Sequence, residues 1–190
     1  MIEEDFGCRL ILEQFTDNPF LPYFYENPER YAFPVELFFM TERHKQLQEL
    51  LPQRELFPEL VVSDYFFVKT LLFAKTNLSG DEYRLFLRLF HSLFATSPKP
   101  DLLVYLHRSV DDLVANIQKR GRDIEKSIQP AYLQSLQDSY FSYFKTEKNI
   151  PILILEITGN DFCEDRSAYE KIIGLLRRSY SKGVYRASVK

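Results

Sequence analysis

Four short apolar runs constrain this chain more than any other feature: "CRLILE" (8–13), "LVVSD" (60–64), "DLLVYLH" (101–107) and "PILILEI" (151–157). Their apolarity is continuous rather than alternating, which suits strands covered on both faces, as in a parallel sheet. Helical signals lie between them. Residues 34–51 open with Pro34 at a first-turn position. Residues 79–96 place Ser79 and Glu82 at capping-box spacing and then run "YRLFLRLFHSLF", apolar almost all round and so expected to be largely buried. Ser109 and Asp112 cap a further helix in which Leu113 and Ile117 share a face; Pro130 begins a helix that runs to 145, and one over 166–180 closes the chain. Strands alternating with helices predict an α/β fold with a mostly parallel sheet flanked by helices, in one domain spanning 1–190.

Composition narrows the class. With 17 Phe, 12 Tyr and 45% hydrophobic residues, the chain has the material for a core and is not of disordered type. A net charge of −3 gives no general footing for nucleic acid or an acidic membrane surface. No apolar run approaches the roughly 18–20 residues of a membrane span. The acidic start "MIEEDF" is not that of a signal peptide, and Cys8 and Cys163 form no CxxC pattern. A cytoplasmic protein in a reducing setting is expected.

Ligands in open parallel sheets bind at the carboxyl ends of strands. Here "LILE" ends in Glu13 and "VVSD" in Asp64, while the third run feeds a helix ending in "IQKRGRDIEKSI" (117–128), which gathers Lys119, Arg120, Arg122 and Lys126 around Glu125. Strand-end carboxylates with arginines suit phosphoryl transfer, one acid taking a hydroxyl proton and another holding Mg2+ or its water. The alternative is that these acids cap neighbouring helices. His44, His91 and His107 are scattered, so no metal site is expected, and each reads as a surface or satisfied structural histidine. No GxSxG appears, and the glycines at 7, 80, 121, 159, 174 and 183 support neither GxxxxGK[ST] nor GxGxxG.

The segments "LEQFTDNPFL", "YENPERYAFPVELFF", "VVSDYFF", "LFAKTNL", "PKPDLLVYL" and "QKRGRDIEKSI", in this order, resemble the bacterial deoxynucleoside kinases. The resemblance implies a P-loop-kinase-like parallel sheet flanked by helices. It also implies ATP-dependent phosphate transfer, with Mg2+, to the 5′-hydroxyl of a deoxynucleoside in nucleotide salvage. By position, Glu13 matches the general base, Tyr25 and Glu125 the pair holding the sugar 3′-hydroxyl, and Phe73 the aromatic that stacks on the base. Arg120 and Arg122 match lid arginines that close over the phosphates. Family members dimerise through helices at the positions of 34–51 and 79–96, so a homodimer is implied, with no nucleic-acid or membrane partner.

Three departures qualify the resemblance. The family's first strand and Walker A loop precede the segment matching "EDFG", so roughly 20 residues of strand, loop and helix would be missing from 1–190. This exact chain is then expected to bind ATP poorly, and the alternative reading is a non-catalytic, P-loop-less remnant acting as a dimerisation or regulatory subunit. Tyr65, in "SDYF", stands where the family has an arginine. Glu36 stands where most members have a glutamine that reads the base. Ionised, it offers acceptors only, suiting the N1–H and 2-amino donors of guanine and a purine preference; otherwise it pairs with Arg43 or another cation.

Overall fold

Each apolar run contributes a strand to the computed structural model, which describes residues 1–13, 17–50, 60–158 and 165–189. The chain divides into two compact units, residues 1–98 with 123–128 and residues 99–122 with 129–190. The first unit holds α1 (Ile2–Phe6), β1 (Arg9–Ile11), α2 (Leu21–Phe24), α3 (Pro28–Leu50), β2 (Val61–Ser63), α4 (Val68–Asn77), α5 (Gly80–Phe94) and a 3-10 turn, Asp123–Glu125. Strands β1 and β2 pair in parallel, with Arg9 opposite Val61 and Ile11 opposite Ser63.

Helix α3 begins earlier than Pro34 suggests. Pro28 takes the opening position, and Asn27 Oδ1 accepts the Arg30 N–H at 3.3 Å, a capping arrangement that the later proline does not override. Pro34 therefore lies inside the helix, where it lacks the N–H that would complete the ladder. Packing offsets that loss: Ala32, Val35 and Met40 are buried along one side.

Helix α5 buries one face and exposes the other. Phe86, Phe90 and Phe94 face inward, with Phe90 and Phe94 rings 4.7 Å apart and Phe67 stacked on Phe94 at 5.4 Å. Leu85 is 49% and Leu89 36% exposed, so the helix is not buried all round as its apolarity suggests. The Ser79–Glu82 capping box also does not form. Ser79 makes no side-chain cap hydrogen bond, because Gly80, at φ 52°, turns the backbone off the helical path at the first residue.

The second unit holds β3 (Leu103–His107), α6 (Val110–Arg120), α7 (Pro130–Thr146), β4 (Pro151–Ile157), α8 (Arg166–Leu176) and β5 (Gly183–Val189). Its sheet is parallel, in the order β3-β4-β5. Strand β4 is covered on both faces. Leu153, Leu155 and Ile157 pack with Ala168 and Ile172 of α8. In-register Tyr105 and Ile154 mark the opposite face, where the Tyr105 ring lies 5.0 Å from Tyr140 and 5.1 Å from Phe144 of α7. Burial there pushes the Tyr105 phenol up to about 12. As anticipated, Ser109 caps α6, its Oγ accepting the Asp112 N–H at 3.1 Å.

Helix α8 does not close the chain. It stops at Leu176, and β5 follows. In β5 inward and outward residues alternate, so it lacks the continuous apolar run that marked the other strands. The alternation befits a strand with one face against the core: Val189 is buried, while Val184 and Arg186 are exposed. Two histidines also differ from expectation. His44 and His107 each leave a buried Nδ1 without a partner, although their rings pack against Phe94 and Tyr105.

Candidate active site

The carboxyl ends of β1 and β2 lie side by side because the strands are parallel and in register, and this brings Glu13 and Asp64 together. Asp64 Oδ1 accepts the backbone N–H of Glu13 at 2.9 Å. Asp64 therefore fastens one strand end to the other rather than capping a helix.

The Glu13 side chain is held by two cations. Arg43, from α3, donates to Oε1 through both Nε, at 2.9 Å, and Nη2. Its remaining Nη1 donates to Thr70 Oγ1 of α4 at 2.5 Å, so each nitrogen of the guanidinium, only 4% exposed, makes a hydrogen bond. Lys69, from the first turn of α4, donates to Glu13 Oε2 at 2.6 Å. Burial raises the Glu13 pKa, but Arg43 and Lys69 outweigh it and hold the carboxyl below its ordinary value. The Lys69 ammonium also lies 5.5 Å from the centroid of the Phe73 ring, one helical turn along α4.

Tyr65 does not leave the position electrostatically empty. Its ring lies 5.5 Å from the Arg43 guanidinium carbon, and its hydroxyl donates to Gln46 Oε1, whose Nε2 in turn donates to the Leu12 carbonyl at 3.2 Å. Burial is the main cause that pushes the Tyr65 phenol up to about 12. The positive charge at Glu13 comes instead from Arg43 and Lys69, which sequence reasoning did not assign to it. A signal existed: Glu36, Met40 and Arg43 sit at helical spacing on one buried side of α3, a polar interruption that burial makes costly unless paired.

Glu36 is 2% exposed, and its partner is Asn77 rather than Arg43: Asn77 Nδ2 donates to Glu36 Oε1 at 2.6 Å. Burial raises its pKa to about 7, against lowering contributions from Asn77, Arg43 and Lys69. Tyr25 lies at the carboxyl end of α2, which packs against the 3-10 turn that carries Glu125. Arg120 and Arg122 belong to the second unit, flanking Gly121, whose φ of 67° ends α6 while its N–H bonds the Ile117 carbonyl at 3.1 Å. Lys126 pairs with Asp123 at 2.5 Å. Among the described residues no three His, Cys, Asp or Glu side chains gather in a way that could hold a metal ion, and no helix is long and apolar enough to cross a membrane. Cys163 lies outside the described residues.

The fold is shared with solved nucleoside kinases. A deoxyadenosine kinase from M. mycoides with the products dCMP and a flexible dCDP bound superposes with a TM-score of 0.74 at 20% identity, covering 92% of this chain and 88% of the other. The same enzyme with bound dATP gives 0.74 at 22% identity, covering 93% and 90%. The architecture is thus an α/β fold of parallel strands flanked by helices, as in those proteins. In sequence, this chain is 31% identical over 176 residues to a deoxyguanosine kinase of Bacillus subtilis, covering 90% of this chain and 85% of that protein. It is 27% identical over 174 residues to a deoxyadenosine/deoxycytidine kinase of the same organism, covering 88% and 79%. The family model "Deoxynucleoside kinase" matches residues 1–179, and the chain belongs to that family, phosphotransferases of nucleoside salvage.

The raised Glu36 pKa has a stability consequence. Between its ordinary value of 4.5 and about 7, the folded protein holds this proton and the unfolded chain does not. Stability therefore declines as pH rises through that window, by up to about 3 kcal/mol for this group. Glu36→Gln, which can still accept from Asn77 without carrying charge, should exceed wild type in urea unfolding at pH 8 and match it more closely at pH 5. A gap that does not widen with pH would mean that Glu36 ionises at little cost.

Proposed function

We propose that this protein transfers the γ-phosphoryl group of ATP, with Mg2+, to the 5′-hydroxyl of a purine deoxynucleoside, guanine ahead of adenine, in the cytoplasm. The observation that carries this reading is Glu13, a strand-end carboxylate held ionised between Arg43 and Lys69, with the Phe73 ring beside the same lysine. In this reading Glu13 receives the 5′-hydroxyl proton and Phe73 stacks on the base. Tyr25 and Glu125 hold the 3′-hydroxyl, a role supported by the packing of α2 on the 3-10 turn. Mg-ATP supplies the transferable phosphoryl group and the metal charge that offsets its phosphates. Of the groups that would meet it, Arg120 and Arg122 carry guanidiniums suited to phosphate oxygens, and Asp64 has one carboxylate oxygen on the Glu13 amide and a second beside it, while residues 1–190 contain no GxxxxGK[ST] loop.

Glu13→Gln tests the base. In a protein that carries a family phosphate-binding loop ahead of residue 1, it should lower turnover with Mg-ATP and deoxyguanosine by about 10²–10⁴-fold. A variant that keeps more than roughly a tenth of wild-type turnover would remove Glu13 from the chemistry, since one power of ten is only about 1.4 kcal/mol of barrier.

The base preference rests on Glu36, and the purine kinases among the relatives support it. Above about pH 7 its carboxylate offers acceptors only; below, the protonated acid also offers a donor. The deoxyguanosine-to-deoxyadenosine ratio of kcat/KM should therefore rise from pH 6 to pH 8 in wild type and stay flat in Glu36→Gln. Equal pH dependence in both proteins would exclude Glu36 from base reading.

The exposed Leu85 and Leu89 on α5 support assembly as a homodimer through α3 and α5. Light scattering should show a dimer at micromolar concentration, shifted toward monomer by Leu85→Arg with Leu89→Arg. A folded wild-type monomer would overturn this arrangement.

A further inference from the structure

The two cations on Glu13 are held in very different ways. Arg43 is 4% exposed and commits Nε, Nη1 and Nη2 to Glu13 and Thr70. Lys69 is 25% exposed, donates to Glu13 through a flexible four-carbon stem, and rests its ammonium near the Phe73 ring. These contacts are to groups that a deoxynucleoside uses in the reading above, the Glu13 carboxylate and the Phe73 ring. We propose that Lys69 is a movable counter-ion, seated on Glu13 and Phe73 in the free protein and displaced from both by the incoming deoxynucleoside.

This rests on the substrate reading above and deepens it. A base stacking on Phe73 replaces the cation–ring contact, and a 5′-hydroxyl at Glu13 replaces the ammonium as the donor to Oε2. Glu13 then keeps Arg43 from α3, with Asp64 at the end of β2 accepting its amide, and acts electrostatically on Glu36 of α3 and on Tyr65. One of its two positive partners has gone. In the free protein the same lysine keeps a partly buried carboxylate paired.

The test follows the Lys69 side chain by NMR with 13C-labelled lysine and measures deoxyguanosine binding by calorimetry, neither of which requires turnover. Wild type is compared with Lys69→Met, which keeps the apolar stem without the charge and assigns the Lys69 signal by its loss, and with Lys69→Arg, which keeps the charge. Saturating deoxyguanosine should move the Lys69 Cε signal away from its position in the free protein. The methionine variant should bind deoxyguanosine roughly threefold or more tightly, because no ion pair has to be exchanged, and Lys69→Arg about as tightly as wild type. If deoxyguanosine binds wild type without moving the Lys69 signal, or if Lys69→Met binds it no more tightly, Lys69 is not a displaced counter-ion. A wild-type protein with no affinity for deoxyguanosine or deoxyadenosine overturns the substrate reading and this proposal together, whereas normal binding with an unmoved Lys69 signal overturns this proposal alone.

Discussion

A guanidinium that is 4% exposed needs an anion and acceptors inside the protein, because an unpaired charge in that setting costs several kcal/mol. Arg43 finds them in Glu13 and Thr70, and in doing so ties the end of β1 and the start of α4 to the middle of α3. Asp64 adds the end of β2 through the Glu13 amide. The elements around the candidate site are thus joined by polar contacts as well as by packing. Such an arrangement is a weak source of net stability, since a well-packed apolar group of similar volume often serves as well. Its effect is positional: the Glu13 carboxylate is held in one place and one charge state.

A partly buried carboxylate, Glu13, and a buried one, Glu36, in the same unit are driven in opposite directions. Both lose solvation, which favours the neutral form. Glu13 touches two cations, and these outweigh the loss. Glu36 touches a neutral amide, with Arg43 and Lys69 acting on it only at longer range, and its pKa rises to about 7. Environments that separate two acids in this way suit them to different tasks, one as a proton acceptor and the other as a group whose hydrogen-bonding character changes near neutral pH. That division fits the proposed roles of base and base reader.

Much of the fold was legible from local pattern. Four strands followed from continuous apolar runs, and α6 followed from the Ser109 cap, because strand burial and capping are decided within a few residues. The elements that escaped lack such a local mark. Strand β5 alternates instead of running apolar, and α3 contains a proline that reads as a start only until the Asn27–Pro28 cap ahead of it is weighed. The outward leucines of α5 escaped for a related reason, since an apolar stretch does not say which of its faces finds a partner.

The family motifs, the strand-end acids and the candidate site residues can be read from the sequence itself, because residue identity and order carry them. What holds those residues cannot. Arg43 is 30 positions from Glu13, Lys69 is 56, and Asn77 is 41 from Glu36, and no periodicity links positions so far apart. The parallel register of β1 and β2 and the packing of α3 against α4 decide which cations reach which carboxylate, and so which acid is kept ionised and which is pushed toward neutrality.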